Sequence, residues 1–128
     1  MEQETGRIVK ARSMAGTWAI VPTDLSRGFL FENAHIVHAL GTKGLYCEYS
    51  DGLNALSLVQ LSGPRTITEG ASTGQPLRTR QIGDHKAQIS VRGAVTVLTW
   101  QNRPPAGTLS LIGELTESAL IAIAQSLP

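Results

Sequence analysis

The chain of 128 residues has one cysteine, few aromatics (5%), no long hydrophobic run and almost no excess charge of either sign. Each shortage excludes something. A lone Cys47 cannot form an intrachain disulfide. Sparse aromatics remove the stacking platforms that single-stranded nucleic acid uses. A formal net charge of +1 supplies no basic field for a nucleic-acid partner and no acidic excess that would keep the chain unfolded. No apolar run approaches the roughly 20 residues of a membrane-spanning helix. The first residues, MEQETGRIVKARSMAG, are polar and contain no apolar core of a secretory signal. Two readings therefore stay open: a cytosolic protein, or a piece of a longer exported one.

What is present describes a folded domain. Hydrophobic residues make up 41% of the chain and charged residues 16%, and the length suits one modest core. Residues 1–16 have weak periodicity and are expected to form a flexible lead-in, with a single domain over 17–128. Trp18, Ile20, Leu25 and Phe29 suit an extended segment and a turn. Strand-like texture follows over 34–40, 45–50, 53–61, 87–92, 95–100 and 108–113. In the third of these runs Leu53, Ala55, Val59 and Leu61 alternate with Leu56 and Leu58, as in a central strand covered unevenly on its two faces. Near the end the period changes. Thr116 suits an N-cap, Glu117 the first turn, and Leu120, Ile123, Ala124 and Leu127 recur at helical spacing. The expected fold is α+β: an antiparallel β-sheet of about five to six strands with a C-terminal amphipathic helix packed on one face.

Two stretches stand out. Asp51-Gly52, between two strand-like runs, signals a two-residue type I′ hairpin, in which both positions need positive φ. The stretch is structural before it is chemical. Residues 62–86 are rich in Gly, Ser, Thr and Pro and carry Arg65, Arg78, Arg80 and Lys86 against Glu69 and Asp84. A connection this long is either functional or a flexible excursion. Its four basic residues are the candidate partner-binding set, suited to an acidic peptide or an anionic head group.

The signatures of catalysis are missing. There is no Gly-x-Ser-x-Gly elbow and no phosphate-cradling loop. Ser50 and Asp51 are adjacent in a turn, which does not put a base within reach of a nucleophile. His35 and His38 sit three apart on a strand and point to opposite faces, so one metal ion would not reach both. Cys47 reads as a buried small hydrophobe. The expectation is a non-enzymatic protein with no cofactor and no metal.

Three pieces of the chain together carry a resemblance: Trp18, Pro22 and Leu25-Ser26-Arg27-Gly28-Phe29; then Tyr49 to Leu58 (YSDGLNALSL); then Gly113-Glu114-Leu115 with its closing Ile/Ala-rich helix. In this order they resemble the C-terminal domain of MucB/RseB-type proteins, periplasmic regulators of the envelope-stress sigma factor. Ser26 and Thr116 stand where that pattern usually has proline. The resemblance implies a domain that binds the periplasmic segment of an anti-sigma factor by surface complementarity. It implies no catalytic residue, and it makes Asp51 and Gly52 a structural hairpin. A small domain of the cell envelope that binds a lipid or apolar ligand is the alternative. A free sheet edge would also suit a homodimer.

Overall fold

The computed structural model describes residues 2–15, 19–39, 42–61, 78–83, 85–101 and 107–127. The chain begins with helix α1 (Glu2–Ala15) and ends with helix α2 (Glu117–Ser126). Between them lie β1 (Asp24–Leu25), β2 (Phe29–Ala39), β3 (Thr42–Ser50), β4 (Ala55–Leu61), β5 (Arg78–Ile82), β6 (His85–Arg92), β7 (Val95–Gln101) and β8 (Thr108–Gly113). They form one eight-stranded antiparallel sheet in the order β1-β2-β3-β4-β8-β7-β6-β5. The antiparallel sheet and the C-terminal helix are as expected, but the described residues form eight strands, not five or six. The two extra strands, β1 and β5, are the edges of the sheet among the described residues. They are short and carry few apolar residues, so they lack the alternation that marks a half-buried strand.

The register shows which side chains share a face. Cys47, Leu58, Leu111, Leu98, Ile89 and Arg78 lie side by side across six strands. All but Arg78 are buried. This is the covered face. In β4 it takes Leu56, Leu58 and Gln60, while Ser57, Val59 and Leu61 on the other face are half-buried. Helix α2 covers the β5–β8 side with Leu120 and Ile123, both fully buried; a side chain of this size stabilises by roughly 1.5–3 kcal/mol when buried. Thr116 caps the helix as expected, its Oγ1 accepting from the Ala119 N–H at 3.2 Å.

Helix α1 and the segment that follows it cover the β2–β4 side. The first residues were expected to be a flexible lead-in, yet residues 2–15 form nearly four turns of helix. Ile8 and Ala11 are buried and Met14 packs against the core, a stripe too narrow to register as a helical period in the sequence. Arg12 secures the helix to the following segment: its Nε donates to the Val21 carbonyl at 3.1 Å, and a terminal nitrogen donates to Thr23 Oγ1 at 3.0 Å. Tyr49 on β3 donates its hydroxyl to the Pro22 carbonyl at 2.8 Å. Gln60 on β4 clasps Ile20 at both backbone groups.

The Asp51-Gly52 corner is a hairpin loop, but not of type I′. Ser50 pairs with Ala55, so four residues form the loop. Gly52 has φ +96°, whereas Asp51 is not among the residues of positive φ. Asp51 instead acts through its side chain. Its Oδ1 accepts from the N–H groups of Leu53 at 2.9 Å and Asn54 at 2.7 Å. Ser50 Oγ accepts from the Gly52 N–H at 3.0 Å. Leu53, expected on a strand, sits at the loop tip and is 93% exposed.

Candidate functional site

Where the structure describes the end of the basic stretch, it is strand and not loop: β5 spans Arg78–Ile82, and β6 begins at His85. Arg65 lies outside the described residues, as do 62–77. Arg78 and Arg80 are two apart on β5, which places both side chains on the covered face of the sheet. Lys86 pairs with Gln81 and is exposed on the opposite face. The four candidate residues therefore divide. Two of them come together, one points away, and one is not described.

Arg78 and Arg80 meet a residue that sequence reasoning used only as a helix-start signal. Glu117, in the first turn of α2, receives Arg78 Nη2 on Oε2 at 2.8 Å and Arg80 Nε on Oε1 at 2.5 Å. Both oxygens of one carboxylate are engaged by two guanidinium groups. Arg80 also donates from Nη1 to the Thr79 carbonyl at 3.0 Å. The cluster carries one net positive charge. Its arginine side chains are 50% and 42% exposed, so water screens the pairs and each contributes roughly 0–1 kcal/mol to stability. The cluster is thus a weak structural clasp with cationic surface to spare. The sequence signal for it was the i, i+2 spacing of Arg78 and Arg80, a strand spacing hidden in a polar run.

The other candidates are apart from it. His35 is exposed on β2 and stacks on Tyr46, with ring centroids 5.1 Å apart and planes at 16°. His38 is exposed on the same strand. Cys47 is buried on the covered face, and burial pushes its thiol up to about 12, which suppresses the nucleophilic thiolate. Tyr49 is likewise raised, first by burial and then by the nearby Cys47. Among the described residues no group of three or more His, Cys, Asp or Glu side chains gathers around a common point where a metal ion would sit. No described helix is long and apolar enough to cross a membrane.

Two further surfaces complete the picture. A groove of about 860 Å³ lies beside the β2 bulge at Glu32, lined in part by Asn33, Glu48, Ser50 and Asp51. Its carboxylates give it the opposite sign to the β5 edge. The sheet face away from the helices carries a cross-strand row of Tyr46, Val59, Ser110, Thr99 and Gln88, all half-buried. Thr99 and Ser110 share a 2.9 Å hydroxyl contact. Thr108, on the same face, is buried, and its Oγ1 has no hydrogen-bond partner.

Neither the comparison with protein-family models nor that with curated proteins finds a match for this chain.

Proposed function

We propose that this chain is a non-enzymatic, protein-binding regulatory domain that receives an acidic segment of its partner at the β5 edge. One observation carries the reading. Two half-exposed guanidinium groups stand together on an edge strand and share a single carboxylate. Arginine forks suit planar, bidentate recognition of carboxylates, and a surplus of them at a sheet edge favours an anionic partner. The class of partner comes from the sequence resemblance: the periplasmic segment of an anti-sigma factor, within an exported regulator of envelope stress. Arg78 and Arg80 are the contact residues in this reading. Lys86 faces away from them and at most adds to the general field.

The test is capture from an envelope extract of source cells, comparing the tagged chain with the R78A/R80A variant. The expected result is a membrane-anchored anti-sigma factor, identified by mass spectrometry and reduced at least about tenfold with the variant. Absence of such a protein, or equal capture by both chains, overturns the proposal.

The lipid-binding alternative has its own supporting observation. Tyr46, Val59, Leu61, Val97 and Ile112 lie on the face away from α1 and α2 and are only half-buried. Leu120 and Ile123 are fully buried beneath α2, so a ligand would lie on that open face and not under the helix. Mass spectrometry of the gently purified protein decides it: a stoichiometric lipid, lost in V59E, puts this reading first.

A further inference from the structure

We infer that the β5 edge takes its acidic partner as an added strand, and that Glu117 holds the place of the partner's carboxylate until it arrives. The inference rests on the reading above and specifies its geometry.

Among the described residues, strand β5 is last in the sheet order and pairs only with β6. An edge strand turns the N–H and C=O groups of alternate residues outward, where an extended chain can pair with them. Four of the five β5 residues are exposed; only Ile82 is buried. A strand laid against this edge would place every second side chain on the covered face, directly beside Arg78 and Arg80. Cross-strand neighbours on one face stand about 4.5–5.5 Å apart. Acidic side chains at alternate positions would therefore reach both guanidinium groups.

Glu117 shows what such a carboxylate does. It comes from α2 and not from a strand, and it still places one oxygen on each arginine. Its own side chain is 23% exposed, near enough to the surface to yield to a competing anion. The same arginines decide against a second copy of this chain as the occupant. Antiparallel pairing of β5 with itself places arginines against each other, and like charges directly opposite destabilise a ladder.

The test uses the full chain and a fluorescent, end-blocked peptide of alternating Glu and Val at low salt, read by anisotropy. Two N-methylated versions block one or the other set of alternate backbone amides. Amide exchange of β5 is followed in parallel. The expected result is binding that falls at least about tenfold with one N-methylated set and little with the other. Alternate β5 amides gain protection, R78A/R80A loses binding, and E117Q binds about three- to tenfold tighter. Binding that tolerates both N-methylated sets and leaves β5 exchange unchanged overturns strand addition while keeping an acidic partner. Failure of the acidic peptide to bind both the native chain and E117Q overturns strand addition and the acidic-partner reading together. Self-association in sedimentation that depends on Arg78 and Arg80 overturns the choice of occupant in favour of a second copy.

Discussion

Gln60→Leu should destabilise the protein even though it makes a buried position apolar. Gln60 is 0% exposed, in the middle of the covered face. Its Nε2 donates to the Ile20 carbonyl at 2.7 Å, and its Oε1 accepts from the Ile20 N–H at 2.8 Å. The side-chain amide does for Ile20 what a neighbouring strand would do, and it holds the segment after α1 against β4. Leucine is similar in size and leaves no large void. It removes two hydrogen bonds worth about 1 kcal/mol net each, and it orphans a backbone donor and acceptor at about 1–3 kcal/mol each. Ile20 is half-buried, so water recovers part of this, and the apolar gain of leucine offsets more. A net loss of about 2–3 kcal/mol remains. At this chain length that lowers Tm by roughly 6–15 °C. Urea unfolding should show a lower midpoint with an unchanged slope, and the Ile20 amide should exchange faster. Equal or greater stability in the leucine variant would refute the reasoning, because it would mean that the Ile20 groups find other partners.

Other predictions concern titration and the loop. Cys47 should resist thiol reagents in the native protein and react once unfolded. Its folded-state pKa is raised from 9.0 to about 12, so its contribution is complete below pH 9 and is lost as pH rises toward 12, at up to about 1.4 kcal/mol per pH unit. C47A should make alkaline unfolding less steep without abolishing the slope, since Tyr49 is also raised by burial. Asp51 is lowered by the Asn54 and then the Leu53 backbone N–H, so its contribution is present above the ordinary carboxylate range and lost as pH falls through its folded value. Its carboxyl signal should titrate below the usual value of about 3.9, and D51A should remove that acid dependence and speed exchange of the Leu53 and Asn54 amides.

Much of the sheet was legible in the residues. The six strand-like runs match β2, β3, β4, β6, β7 and β8, because each is a short run whose apolar residues recur with a period of two on one face or on both. Thr116, Leu120 and Ile123 marked α2 by cap and period. Other features depend on partners distant in sequence. In β4 the buried positions are Leu56, Leu58 and Gln60, and only the pairing with Leu45 and Leu109 decides that Gln60 is inside. The I′ reading of Asp51-Gly52 failed because loop length, not the dipeptide, sets the turn: four residues let the Asp51 side chain do the work of a second positive φ. Within the candidate site, Arg78 and Arg80 were in view, but Glu117 was not their evident partner. The two sequence positions are nearly forty residues apart, and only the return of the chain through β6, β7 and β8 brings α2 back over β5.

That return also explains why β5 can remain an edge. Sheet edges invite indiscriminate pairing, and charged residues facing inward are one way to prevent it. Arg78 and Arg80 point toward the covered face, where an apolar strand arriving at the edge would have to bury its side chains beside two cations. Glu117 neutralises only half of that charge and is itself partly exposed. An uncharged strand or a copy of β5 therefore meets an electrostatic penalty at this edge, whereas an acidic strand meets a preformed pair of guanidinium forks. Protection and recognition would then rest on the same two side chains. If so, R78A/R80A should lose acidic-peptide binding and gain a tendency to self-associate, seen as concentration-dependent sedimentation. A variant that loses binding and stays monomeric at every concentration would separate the two roles and show that the edge is guarded by something other than its arginines.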